Sequence, residues 1–166
     1  MKGNTGLHHL AKRLQSHTGM FERFLDAGVD INAKNKKGNS PLFIYVKKGM
    51  DISDWYTLHY GELSHNDENG FKDSVLKMFQ EKNADFLICN EEGTSLLHLL
   101  AAKTLDKFTL DGSDYACYRV VQLYKFFMEL GLDPMAEDKR QRTSLDVAAA
   151  SGNEHILKLF DRKPVE

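Results

Sequence analysis

The sequence predicts an all-α fold made of repeated helix–turn–helix units, and three observations support this prediction. A nine-residue pattern occurs four times in the 166 residues, each time with a hydroxyl residue followed two positions later by leucine. A second apolar segment of helical periodicity follows every copy. A turn signal and an extended stretch then separate each of the first three units from the next copy. The four copies are GNTGLHHLA (3–11), GNSPLFIYV (38–46), GTSLLHLLA (93–101) and QRTSLDVAA (141–149).

The hydroxyl residue of each copy is expected to begin the first helix of its unit. A Ser or Thr oxygen just before an apolar run accepts a hydrogen bond from a backbone N–H that has no partner within the helix. Pro41 suits the first helical position, because its missing N–H costs nothing there. Residues 38–46 are therefore predicted to begin a helix, although a turn followed by a strand is the first impression. The four expected N-caps are Thr5, Ser40, Ser95 and Thr143.

The second helix of each unit is predicted from an apolar segment that ends in a turn signal. Gly28 and Gly131 stand where a left-handed residue ends a helix, and Asn83 takes that place in the second unit. Extended segments then run to Gly38, Gly93 and Gln141. The four second-helix segments are MFERFLDAGVDIN (20–32), SVLKMFQEKNADF (74–86), VVQLYKFFMELGLDP (120–134) and NEHILKLF (153–160).

This order of two helices and an extended finger, with degenerate copies of T-P-L-H-x-A, resembles the ankyrin-repeat family. TGLHHLA, SPLFIYV, SLLHLLA and TSLDVAA carry the resemblance, which covers residues 1–166 as a single ankyrin-repeat domain. It implies a solenoid with β-hairpin-like fingers, and in style the chain resembles ankyrin regions of large fungal-type proteins. We number the repeats 1 to 4, at about 3–37, 38–92, 93–140 and 141–163.

Repeats 2 and 3 are longer than the usual 33 residues. The hydroxyl markers are 35, 55 and 48 residues apart, and the excess lies in two inserts, at about 49–70 and 103–115. The first insert holds Trp55, Tyr56 and Tyr60, aromatic types that often anchor interfaces. These rings are either partner-binding residues or a lid that folds over the second helices.

Composition excludes several classes of function. The net charge of −2 does not suit a polyanion binder, and we expect neither nucleic acid nor membrane as a partner. The two cysteines form no CxxC motif, which favours a reducing, intracellular location, cytoplasmic or nuclear. No catalytic motif, metal-ligand spacing or phosphate loop is present, so no enzyme activity, cofactor or metal is expected.

The near-neutral total hides an uneven distribution of charge. Residues 1–50 hold nine Lys and Arg against three Asp and Glu, whereas residues 51–114 hold five against thirteen. Repeats 1 and 2 therefore look basic, and the third finger (Glu137–Arg140) looks acidic. In ankyrin repeats the groove of first helices and finger tips binds other proteins, so the resemblance implies a protein partner with an acidic segment. The candidate groove residues are Lys12, Arg13, Lys34, Lys36, Lys37, Lys47, Lys48, Glu91 and Glu92.

The sequence thus predicts a non-catalytic protein–protein interaction module that is part of a larger multidomain protein and, by default, a monomer. One alternative is a stand-alone ankyrin inhibitor of an enzyme such as a kinase, although such inhibitors are compact and this chain has long inserts. The other is an enzyme or metal site in the inserts, for which only His59, His65, Asp67 and Glu68 offer ligands.

Overall fold

The computed structural model describes residues 3–49, 74–103 and 115–161 of the chain. Helices make up most of these ranges, and no β-strand occurs within them. The helices are α1 (Gly6–Ala11), α2 (Leu14–Asp26), α3 (Pro41–Ile44) with a π-helical turn (Tyr45–Gly49), α4 (Ser74–Glu81), α5 (Leu96–Ala101), α6 (Tyr115–Glu129), α7 (Ser144–Ser151) and α8 (Glu154–Leu157).

All four predicted N-caps are confirmed. Thr5, Ser40, Ser95 and Thr143 have extended backbone and directly precede α1, α3, α5 and α7. The Ser40 hydroxyl accepts from the N–H of Phe43 at 3.2 Å. Residues 38–46 therefore begin a helix as predicted, with proline in its first turn. Every residue from 41 to 46 is buried, so this stretch has no exposed face.

The left-handed residues behind the second helices are also confirmed. Gly28, Asn83 and Gly131 have φ values of 86°, 59° and 106°. At each, the next N–H returns to the last helical turn, as when Ala84 donates to the Phe79 carbonyl at 2.9 Å. The helix of repeat 1 begins earlier than predicted, at Leu14, because two helical pieces join at His17, whose backbone is not helical.

The chain divides into two compact lobes. The first lobe comprises Met1–Lys36 and Ser40–Asp85. In its core, Phe79 packs edge-on against Phe21, with ring centroids 5.3 Å apart, and lies 5.8 Å from the Tyr45 ring. All three rings are fully buried. Helix α1 contacts α2, α3 and the π-helical turn.

The second lobe comprises Lys37–Asn39 and Phe86–Glu166. Helix α5 packs against α6 and α7, and α6 also contacts α8. Phe86 makes an edge contact with Phe126 at 6.3 Å, and Tyr124 is hydrogen-bonded to Ser144 in the core. Burial of Tyr124 raises the pKa of its hydroxyl. This core fixes the position of α5, the first helix of repeat 3.

Candidate protein-interaction surface

The fingers of repeats 2 and 3 are short turns, each organised by one side-chain oxygen. Asn90 Oδ1 accepts from the N–H groups of Glu92 and Thr94, both at 2.9 Å. At the equivalent place in repeat 3, Asp138 Oδ1 accepts from the N–H groups of Arg140 and Arg142, at 2.8 and 3.0 Å. Two backbone bonds close each turn. Asn90 N donates to the Thr94 carbonyl and Gly93 N to the Asn90 carbonyl; in repeat 3, Asp138 N donates to the Arg142 carbonyl and Gln141 N to the Asp138 carbonyl. The turns therefore have the same internal geometry despite different tip sequences.

Backbone hydrogen bonds join these fingers side by side within the second lobe. The N–H of Glu91 donates to the Lys37 carbonyl at 3.0 Å, and the N–H of Lys139 donates to the Glu92 carbonyl at 2.9 Å. Glycine makes this approach possible. A Cβ on Gly38 would lie 2.8 Å from the backbone nitrogen of Glu91, and one on Gly93 would lie 3.2 Å from the Asp138 Cα. Residues 37, 91–92 and 139–140 therefore form one continuous edge, which we call the finger edge.

The charge of the third finger differs from its sequence-based interpretation. Asp138 is only 7% exposed and pairs with Arg142, whose Nη2 and Nε lie 2.8 and 3.1 Å from Asp138 Oδ2. Burial acts to raise the pKa of the Asp138 carboxyl. The Arg142 side chain and the backbone N–H groups of Arg142 and Arg140 outweigh this effect, so the pKa is lowered. With Asp138 neutralised by Arg142, the exposed charged side chains of residues 137–140 are one anion, Glu137, and two cations, Lys139 and Arg140. The acidic interpretation was therefore wrong for this finger tip, and the acidic tip is that of repeat 2.

A histidine in the first helix of repeat 3 links that helix to the finger edge. His98 Nδ1 lies 3.3 Å from the Ser95 backbone nitrogen and 2.8 Å from the Ser95 hydroxyl oxygen. Its Nε2 lies 2.9 Å from the Arg142 carbonyl, at the base of the third finger. The tautomer with the proton on Nε2 satisfies these contacts, because Nδ1 then accepts from Ser95 N–H and Nε2 donates to Arg142. These contacts give His98 a structural role, because they tie the start of its helix to the base of the third finger.

A comparison with family models identifies the first of these units. The ankyrin repeat model matches residues 2–36. Residues 2–36 are an ankyrin repeat. The match covers repeat 1, with its Thr5 cap, its two helices and Gly28. No curated protein matches the chain.

The structure places the predicted site residues on the surface wherever it describes them. In the first lobe, Lys12 and Arg13 follow α1, Lys34 and Lys36 lie in the first finger, and Lys47 and Lys48 lie in the π-helical turn. In the second lobe, Lys37, Glu91 and Glu92 lie on the finger edge. All nine side chains are exposed. Trp55, Tyr56 and Tyr60 lie outside the described residues, as do the four possible ligands of the first insert.

The structure brings several of these candidates together, in two groups. Because α1 contacts α3 and the π-helical turn, the cations at the ends of these elements lie on neighbouring parts of the first lobe. On the finger edge, the glutamates lie next to Lys139 and Arg140, which sequence analysis left out of the candidate set. Aligning Asp138 with Asn90 could have found this pair, because the two residues that follow each turn acceptor form the exposed tip.

Ankyrin repeats generally act as non-catalytic modules that bind other proteins. Across residues 3–49, 74–103 and 115–161, no group of three His, Cys, Asp or Glu side chains could hold a metal ion. Nor is any helix in these ranges long and apolar enough to cross a membrane.

Proposed function

We propose that this chain is a non-catalytic protein–protein interaction module that binds its partner through finger tips and first helices. Exposed charged side chains on finger turns with a fixed backbone are the observation that carries the proposal. An interface built on such turns loses little conformational freedom on binding, which favours affinity. The proposal includes four ankyrin repeats and a place within a larger intracellular protein, in the cytoplasm or nucleus.

In the first lobe the proposed surface is basic. Lys34 and Lys36 in the first finger are exposed, as are Lys12 and Arg13 after α1. Lys47 and Lys48 add two cations on the π-helical turn that α1 contacts. Opposite charge steers association and suppresses binding of like-charged surfaces. This lobe therefore favours a partner segment that carries several Asp or Glu residues.

Charge reversal in the first finger tests the proposal. We expect the triple variant Lys34→Glu, Lys36→Glu and Lys37→Glu to lose a partner that the wild-type chain retains from cell extract. The melting curve should stay within a few degrees of wild type, because surface substitutions usually change stability by about 0.5 kcal/mol or less.

The matched control is the triple variant Lys77→Glu, Lys82→Glu and Lys125→Glu. It changes the net charge by the same amount, at exposed positions on or next to second helices. A partner retained by the control and lost by the finger variant locates the interface. If both variants retain the partner equally, the proposed surface is refuted. If both lose it equally, net charge and not the first finger governs binding, and the proposed surface is also refuted.

A further inference from the structure

On the finger edge of the second lobe, beyond Lys37, two pairs of opposite charge lie side by side. Glu91 and Glu92 form the tip of one turn, and Lys139 and Arg140 form the tip of the next; all four side chains are exposed. The backbone bond from Lys139 N to the Glu92 carbonyl, at 2.9 Å, makes the two tips direct neighbours. Two short, adjacent surfaces of opposite sign therefore face solvent.

These charges do not neutralise one another in the described structure. Arg142 in the same finger pairs with Asp138, and Glu154 pairs with Lys158 on the surface of α8. In the described part of the chain no ion pair involves Glu91, Glu92, Lys139 or Arg140. Since exposed pairs contribute only about 0–1 kcal/mol, the four side chains can pair with a partner at little cost to folding.

The backbone beneath these side chains is constrained from both sides. Asn90 and Asp138 each hold their turn through two backbone N–H groups. Between the turns lies Gly93, where a Cβ would be 3.2 Å from the Lys139 nitrogen. The spacing between the acidic and the basic tip is thus set by the fold, which is the condition for a charge pattern to select a partner.

The charge pattern also discriminates among classes of partner. A nucleic acid or a run of Asp and Glu would gain at Lys139 and Arg140, but Glu91 and Glu92 would repel it. A uniformly basic segment would gain at Glu91 and Glu92, but Lys139 and Arg140 would repel it. A polypeptide with basic and acidic residues next to each other pairs with both tips, and Arg140 can form a two-bond contact with one of its carboxylates.

We propose that the finger edge binds a polypeptide segment of mixed charge, with its basic residues at Glu91 and Glu92 and its acidic residues at Lys139 and Arg140. This inference rests on the proposed interaction function. It adds that recognition at the second lobe requires both signs of charge in one segment, whereas the first lobe favours an acidic one.

Selection from a displayed library of random twelve-residue peptides, made on the full chain at physiological salt, tests the inference. We expect the enriched peptides to contain basic and acidic residues in adjacent blocks. The reversal variant Glu91→Lys, Glu92→Lys, Lys139→Glu and Arg140→Glu keeps the net charge and should bind synthetic copies at least tenfold more weakly. The control exchanges the ion pair on α8, Glu154→Lys with Lys158→Glu, and should bind as wild type does.

The other outcomes of the selection contradict either the mixed-charge inference alone or the proposed function as well. Peptides that are uniformly acidic, basic or apolar, or that bind the reversal variant within twofold of wild type, refute the mixed-charge partner and leave the proposed function standing. Failure to enrich any peptide above an unrelated protein counts against both. Tight binding of a single-stranded oligonucleotide that depends on Lys139 and Arg140 would also overturn the inference. If the reversal variant melts early, the glutamine variants Glu91→Gln with Glu92→Gln, and Lys139→Gln with Arg140→Gln, replace it.

Discussion

At the scale of single residues, the glycine two positions before the hydroxyl marker of repeats 2 and 3 shows how neighbouring fingers constrain the sequence. Gly38 and Gly93 have φ values of 72° and 74°, and the backbone of the next finger lies against each of them. The equivalent residue of repeat 4 is Gln141, which adopts φ 57° but is exposed. A left-handed backbone alone therefore does not require glycine here. The close approach of the following finger does.

A pair of alanine substitutions separates these two effects. Gly28→Ala places a Cβ at φ 86° with no atom within 4 Å, so we expect it to cost only the left-handed penalty of about 1–2 kcal/mol. Gly38→Ala adds a contact of 2.8 Å with the Glu91 nitrogen and should cost at least about 2 kcal/mol more, because backbone must move. Thermal melts should show the larger drop for Gly38→Ala. Equal drops would mean that the fingers separate freely.

His98 is a second residue whose role lies in its hydrogen bonds. It is 2% exposed and contacts Ser95 at the start of its own helix and Arg142 in the next repeat. We expect His98→Phe, the residue found at the equivalent position 43, to retain the volume but destabilise the chain by about 2 kcal/mol, since it leaves buried polar groups unpaired. Urea unfolding measures this cost. A variant as stable as wild type would show that these bonds contribute nothing net.

At the scale of elements, the finger turn tolerates either a neutral or a charged acceptor at its centre. Asn90 and Asp138 make the same two backbone contacts, so the turn itself needs only a side-chain oxygen. The carboxylate adds the contact with Arg142, which also accounts for its lowered pKa. The third finger is therefore the one turn of this pair whose stability depends on pH.

This gives a prediction for acid conditions. The folded-state pKa of Asp138 lies below the unfolded value of about 3.9, so its stabilisation is present above that pH and is lost as pH falls through the folded pKa. Asp138→Asn should cost about 1–2 kcal/mol at neutral pH, because it removes a charged hydrogen bond but leaves the turn. The difference from wild type should shrink as unfolding is measured from about pH 7 to about pH 2. The reciprocal change Asn90→Asp is the control, since threonine stands where Arg142 does. A difference for Asp138→Asn that is constant with pH would contradict the ion pair.

At the scale of the whole molecule, net charge conceals the distribution that governs binding. The total of −2 combines a basic first 50 residues, an acidic middle and a balanced end. The two lobes accordingly present different charge patterns, one basic and one mixed. Long-range attraction depends on such local fields more than on the total charge.

The proposed partner should therefore associate with strong salt dependence. We expect its association rate to fall by about tenfold or more between low and high salt, with a smaller change in the dissociation rate. In the Lys34→Glu, Lys36→Glu and Lys37→Glu variant, stopped-flow or biosensor kinetics should show a much flatter dependence. Equal salt slopes for the variant and wild type would mean that these lysines do not steer the encounter.

Much of the local structure could be predicted because its causes lie within a few residues. Thr5, Ser40, Ser95 and Thr143 cap helices through groups three positions away, and Gly28, Asn83 and Gly131 end helices through the turn that precedes them. Repeat 1 also carried enough of its motif to be recognised as an ankyrin repeat. The early start of α2 was missed, because a separate helical piece that begins at Leu14 joins the predicted helix at His17.

Only those features of the candidate site that depend on nearby residues in the sequence could be predicted. The sequence by itself determined the repeat type of residues 2–36, the helix starts and turns, and the presence of charged tips, because these depend on neighbours along the chain. Only the tertiary structure decided that Asp138 is buried against Arg142 and that acidic and basic tips lie side by side. Charge at a finger tip depends on which side chains remain in solvent once separate segments meet, and that meeting occurs only in the folded chain.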